Sequence, residues 1–456
     1  KKKATNKKTK TTKNPKVQKT ETITQKKKPT TRVDGVTDGT DKADQSAAMA
    51  LMEDSNVAAR VYLAKGKVVN QGIINIQDNV EDSSGMYINV VNSNVINEGT
   101  INVKAEVEDV ASGSQPLNVG MRADQGTTIV NGSGDTVAIN RGDIEVQGKH
   151  NIGMLANGKN GIGSVQAINS GYINIIGGNK NNAMSSINGG NIKNNSKINI
   201  ASTATNSIGV YVENGSTGTG TGDITIDGNG NAGVANFGTF NQTGGTIDVS
   251  GKDSIGIYAK DSSSSTTITG STVNAKNGAV AFYADGSSGN ESTITLNNVT
   301  SNIGDGGLLF FNYTGTLPGQ VGKFNISGPT TVNILSGGVA FYNRGIIGSE
   351  ATFLNMVNGN NLTLNMSSGS RLFVFDNPAI TENLSSIPSL GGVPSISNSS
   401  GTATITVNGS DYKYMTANKA TLNINQNVNL DSSGDSYYKV DFFSSNVNVG
   451  IPSSSI

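Results

Sequence analysis

The chain holds no cysteine and no tryptophan, a single histidine and only nine prolines in 456 residues. Without cysteine there is no disulfide, no thiolate nucleophile and no Cys-ligated zinc. With His150 alone, a Ser-His-Asp triad has no other histidine to act as base. No signal peptide and no hydrophobic run long enough to cross a bilayer appears. A P-loop, a dinucleotide fingerprint and a His/Cys metal cluster are likewise missing. The expectation is a chain with no cofactor, no metal and no membrane insertion of its own. Leucine is too scarce for leucine-rich repeats, and blades of about 40 residues, as in a propeller, are not seen.

What is present is glycine, 58 of them, with Asn, Ser and Thr filling much of the remainder. The apolar residues are mostly Ile and Val in short alternating runs, which is strand chemistry. The formal net charge of zero hides two regions of opposite sign. Residues 1–32 hold 13 Lys plus Arg against one acid, Glu21, and the acids dominate the rest. Such an arm reads as a solvated, disordered tail, or as a contact for polyanions. No aromatics interleave with its lysines, so base stacking is not expected and nucleic acid is not an expected partner.

The internal repeat decides most of the reading. One motif, a small turn followed by Ile or Val, a polar residue and another Ile or Val, reads Asn-Gln-Gly-Ile-Ile-Asn-Ile at 70–76 and Asn-Glu-Gly-Thr-Ile-Asn-Val at 97–103. It returns as Asn-Arg-Gly-Asp-Ile-Glu-Val at 140–146 and Asn-Ser-Gly-Tyr-Ile-Asn-Ile at 169–175, with weaker copies at 197–200, 223–226, 246–249 and 293–296. A second motif alternates with it: Gly120-Met121-Arg122-Ala123, Gly153-Met154-Leu155-Ala156, Gly209-Val210-Tyr211-Val212, Gly256-Ile257-Tyr258-Ala259. Each recurs every 23 to 30 residues in the middle of the chain. An Ile-x-Ile strand puts two apolar side chains on one face and cannot bury them alone. Copies stacked in parallel, two or three strands to a coil, can. Gly, Asn and Asp are expected at the corners in left-handed conformations, with asparagines at equivalent corners laddered by side-chain hydrogen bonds. About a dozen coils at about 4.8 Å spacing give a parallel β-helix on the order of 60 Å long.

The ends depart from the repeat. Residues 1–45 read as a disordered basic arm and linker, and 46–64, the most helix-prone stretch, as a short N-terminal cap over the first coil. The β-helix proper is expected over 65–375. A loop insertion with three prolines follows at 376–401, and strands continue over 402–456 in what reads as a piece of a longer protein. Fifteen of the 24 aromatics lie after residue 300. Departures from repetition are where specificity is expected. The candidate ligand contacts are therefore Phe310, Phe311, Tyr313, Asn377, Pro378, Pro388, Pro394, Tyr412, Tyr414, Tyr437 and Tyr438. Exposed aromatics stack on sugars or anchor protein partners; the opposing reading makes them core of a thicker coil.

Other motifs carry less. Arg141-Gly142-Asp143 spells an integrin-binding tripeptide but falls in a repeat slot that already explains its glycine. Asp34, Asp38, Asp41 and Asp44 lack the spacing of an EF-hand loop. Ser433-Gly434-Asp435-Ser436-Tyr437 resembles a serine-protease nucleophile motif until Tyr437 replaces glycine. Glu145, Asp223 and Asp248 fall in comparable slots, the arrangement a polysaccharide lyase or hydrolase requires if they align in a groove.

The alternation of Asn-x-Gly-x-Ile-x-Val with Ile-Gly-Val-Tyr strands over roughly residues 55–375, Cys-free and Asn-rich, resembles the passenger domains of type Va autotransporters, and in flavour the large fusobacterial adhesins of that class. The resemblance implies a right-handed parallel β-helix, all-β, exported through a C-terminal outer-membrane barrel and displayed on the bacterial surface. It implies attachment to a host cell-surface protein or glycan, or to a partner bacterial surface, by a monomeric rod, and it supplies no catalytic residues. The sequence reading is thus an adhesin and not an enzyme. A β-helical polysaccharide lyase or hydrolase, and a non-binding spacer, stand as alternatives.

Overall fold

The computed structural model describes residues 21–25, 30–33, 43–44, 47–51, 66–77, 80–89, 91–107, 117–124, 134–158, 164–286, 291–312, 322–345, 354–384, 395–397, 401–409, 411–424 and 440–449. Among the described residues, each coil up to Asn343 is built on three main strands. In the first fully described coil these are Gly66–Asn70, Ile73–Ile76 and Ser84–Ile88. Equivalent strands pair in parallel from coil to coil, Gly66–Asn70 on Ser93–Asn97 and Ile73–Ile76 on Thr100–Val103. This is a parallel β-helix. The third sheet counts fourteen strands, one per coil. The first and second sheets merge into one of 25 strands because Val357–Met366 runs through both. Fourteen coils at about 4.8 Å give a rod of roughly 60 Å. A single short helical turn occurs among the described residues, at 354–356.

The Ile-x-Ile motif forms the second sheet, and its register stacks like on like. Ile74, Ile101, Ile144, Ile173 and Ile198 lie in one inward column, fully buried, and Ile76, Val103, Val146, Ile175 and Ile200 in the next. The second motif forms the third sheet. Its inward column runs Met86, Met121, Met154, Met184, then Val210, Val234 and Ile257, then Phe282, Phe310, Phe341 and Phe373. The aromatic enrichment late in the chain is therefore largely core: these phenylalanines are fully buried, with ring centroids 5.4–6.0 Å apart.

The corner between the first two sheets is built by Asn-x-Gly. Asn70, Asn97, Asn140, Asn169 and Asn194 are buried, and each Nδ2 donates to the next Oδ1 at 2.8–3.0 Å. The ladder stops at Asn194, because the next coil has Gly220 there, and Gln242 from the coil beyond fills the space a Cβ of Gly220 would take. The expectation of left-handed backbone holds at other corners, where Asn92, His150, Asn277 and Asp305 have φ of 49–59°. At the Asn-x-Gly corner the cause is different. A Cβ on Gly99, Gly142 or Gly171 would stand 2.1 Å from the carbonyl oxygen of the glycine one coil below. Glycine is needed there for close stacking.

Three expectations need correction at the ends. Glu21–Gln25 pairs with Gly66–Asn70 and Thr30–Val33 with Ile73–Ile76, so described parts of the expected arm are coil strands. Ala47–Leu51, within the expected helical cap, pairs with Ser84–Ile88. An open strand edge offers a full set of backbone partners, and tertiary pairing overrides the helix propensity of Ala, Met and Leu. Within the expected loop 376–401, Thr381–Leu384 pairs with Thr421–Ile424, and Ser395–Ser397 pairs antiparallel with Ala403–Asn408. By chain order Thr381–Leu384 follows a third-sheet strand, the place a first-sheet strand takes in every earlier coil.

Candidate functional site

The outer face of the third sheet carries one continuous feature. Where the inward neighbours form the core column, the next residue points out: Tyr211, Tyr258, Tyr283, Phe311 and Tyr342 lie in one register row. In one coil the row position is Ala235, and Phe237, two residues further along the same face, takes up the gap. The six rings follow one another at centroid distances of 5.6, 6.1, 5.1, 5.0 and 5.8 Å. All six are half-buried.

Carboxylates fix the phenols. The Tyr258 hydroxyl donates to Asp285 Oδ2 at 2.8 Å, and Tyr342 donates to Asp376. Burial and these hydrogen bonds push both phenols far above the ordinary tyrosine range. Burial, with Glu213 nearby, also raises Tyr211. Earlier in the rod, Tyr87 donates to Asp124 at 3.3 Å, and burial followed by the Asp124 charge pushes it up to about 12. Arg122 lies over the Tyr87 ring at 5.9 Å while its Nε donates to Asp124.

The same outward face is closed on either side of the aromatic stretch. Val119, Ile152 and Leu155 form a separate buried cluster with Leu117 and Ile187 packed on it. Val374 and Thr416, in the row beyond Tyr342, are also buried. The row is open to solvent in two places, at Tyr87 and Arg122 early in the rod and over the aromatic stretch of the middle coils, with Leu155 and Ser185 buried between them.

Of the residues singled out from sequence, Phe311 belongs to this row. Phe310 faces the core and stacks on Phe324 at 4.1 Å. Tyr412 and Tyr414 are buried, Tyr414 packing edge-on to Phe373 at 5.5 Å. These three are packed into the core and are not available to a ligand. Asn377 folds its side chain back onto the Ala379 amide and the Arg344 carbonyl, shaping a turn in which Pro378 is exposed. Tyr313, Pro388, Pro394, Tyr437 and Tyr438 lie outside the described residues, as does Ser433–Tyr437. The row was missed because its signal sat inside motifs read only for the fold: the third position of Gly-Val-Tyr, Gly-Ile-Tyr, Ala-Phe-Tyr and Leu-Phe-Phe.

The remaining motifs are placed as follows. Gly142 of Arg141-Gly142-Asp143 is stacked between Gly99 and Gly171, its amide bonded to the Asn97 carbonyl, and Arg141 pairs with Glu98 at 3.5 Å. The tripeptide is part of the stacked corner, with the Arg141 and Asp143 side chains exposed. Glu145 and Asp248 share one outward row but stand four coils, about 19 Å, apart. Asp223 precedes the strand Ile224–Ile226 and sits outside that row. A carboxylate pair for glycoside cleavage needs about 5–9.5 Å. Asp248 instead accepts from Asn274 at the head of a half-exposed ladder through Asn302, Asn333, Asn365 and Asn408. Beside it lies a shallow groove of about 480 Å³ bordered by Asp227, Asp248, Lys276, Asp305 and Leu335. No group of three or more His, Asp or Glu side chains able to hold a metal occurs among the described residues.

The fold and this face define a class, the parallel β-helical solenoid with a half-buried aromatic stripe on the outer face of its third sheet. Compared with known families, residues 3–134 match the model described as BigA third pectate lyase-like domain, a stretch that covers less than a third of the chain. No curated protein and no solved structure matches the chain.

Proposed function

We propose that this chain is a passenger-type β-helix of a bacterial surface adhesin, of the type Va autotransporter class and the large fusobacterial kind, which binds and does not catalyse. The observation that carries the reading is the aromatic row, six half-buried rings in unbroken contact on the outer face of the third sheet, bordered on both sides by coils where that row is buried. Contiguous exposed apolar surface marks an interaction site more often than it marks nothing. The match to a BigA domain supports a surface-displayed passenger, and the separation of Glu145 from Asp248 by four coils speaks against their acting as a carboxylate pair. Attachment to host cells or to neighbouring bacteria follows from display of this face. The test is attachment of beads carrying the purified chain to epithelial cells and to bacteria of other species. Loss of attachment in a Tyr283→Ser, Phe311→Ser variant that keeps its β-sheet circular dichroism supports the reading. Equal attachment by the variant, or none by either form, sinks it.

The groove beside Asp248 favours one second reading, a polysaccharide lyase with Lys276 as base. Incubation with polygalacturonate and assay for unsaturated oligosaccharide product decides it, with Lys276→Ala as the control.

A further inference from the structure

We infer that the aromatic row is a binding track for a linear, uncharged glycan lying lengthwise along the rod. The inference rests on the adhesin reading and names its ligand class. The first argument is size. Six rings over five coil intervals of about 4.8 Å make a stripe roughly 24 Å long and two outward residue rows wide, far below the about 800 Å² each partner of a stable protein complex gives up. A second copy of this chain or a globular partner does not fit it, but a slender chain does.

The second argument is backbone chemistry. An extended peptide gains most of its affinity by adding to a sheet edge. Here every third-sheet strand from Ile208–Val212 to Val339–Asn343 is already paired on both sides, so the face offers a peptide no backbone partners. Its amides would be desolvated without compensation. A pyranose chain brings C–H faces to the rings and keeps its outer hydroxyls in water.

The third argument is the ring and charge geometry. Phe237 with Tyr258, and Tyr283 with Phe311, meet edge to face at 84°, so one ring of each pair keeps a face its neighbour does not use. Asp285 and Asp376 are taken up by the Tyr258 and Tyr342 hydroxyls, with Arg344 and Lys419 near the far end; Glu213 and Asp261 stand beside Tyr211 and Tyr258, where they favour an uncharged chain over an anionic one.

The test is calorimetric titration of the whole chain with cello-oligosaccharides of two to eight units, and with oligogalacturonate of matching length. Affinity for the neutral series should rise with length and level off near five or six units, where the track ends. It should fall at least tenfold in Tyr283→Leu, Phe311→Leu, variants that retain apolar volume. The oligogalacturonates should bind at least tenfold more weakly. No binding of the neutral series, no dependence on its length, tighter binding of the anionic series, or unchanged affinity in the leucine variants overturns the inference. Bead attachment run in parallel separates the two claims: attachment that needs the row while no neutral oligosaccharide binds leaves the adhesin standing and the glycan assignment fallen.

Discussion

At the scale of single residues, identical side chains do different work according to which side of the strand they occupy. Asn140 is buried and sits inside a ladder, accepting from Asn97 and donating to Asn169. Asn333 makes the same kind of bonds, but on a half-exposed outer face. Removing a buried partner leaves two amides desolvated, so Asn140→Ala should cost about 1–3 kcal/mol in urea unfolding, and Asn333→Ala well under half of that. An equal loss for the two would show that burial does not set the strength of the ladder. Gly142→Ala places a methyl group against the Gly99 carbonyl and should destabilise by about 1–3 kcal/mol or more. Asp143→Glu, exposed at the same corner, should leave both stability and cell attachment unchanged.

At the scale of elements, the third sheet separates core from surface by one residue. Phe310 is fully buried and Phe311 half-buried. Phe310→Ala should cost about 3–5 kcal/mol through the cavity it leaves, whereas Phe311→Ala should cost clearly less and act mainly on binding. A thermal melt of both variants checks the order. The phenols of this sheet set the alkaline limit. Tyr87, Tyr258 and Tyr342 have pKa values raised above the unfolded value of about 10. The stability they contribute is complete below pH 10 and is lost as pH climbs from there through about 12, the Tyr87 value. Melting temperature followed from pH 8 to 12.5 should hold level and then drop. In Tyr258→Phe, Tyr342→Phe the drop should be shallower, and tyrosinate absorbance should show fewer late-titrating groups.

At the scale of the whole molecule, each coil touches chiefly its two neighbours, so stability is close to a sum of coil and interface contributions. Damage in one place should then divide the rod rather than melt it whole. Ile198→Ala, at the centre of the second sheet's inward column, should broaden or split the unfolding transition. A single sharp transition at lower temperature would mean that cooperativity reaches across the rod. The charge pattern acts at this scale too. The acids dominating residues 33–456 give the rod a negative field, which favours uncharged over anionic partners.

The sequence by itself determined the architecture, because the β-helix is specified locally and repeatedly. Ile-x-Ile and its Val, Leu and Ala variants fix an inward pair in most coils, and Asn-x-Gly fixes the early corners, where glycine stacks on glycine. Only the tertiary structure decided which aromatics belong to the surface. Phe310 and Phe311 are neighbours of equal hydrophobicity, and only strand phase together with the register to Tyr283 and Tyr342 tells them apart. The same holds for Tyr412 and Tyr414, which composition favoured as contacts and packing places inside. Strand formation at Glu21–Gln25 and Ala47–Leu51 was likewise not legible, since polar or helix-prone residues become strands there only because the coil above them presents an open edge.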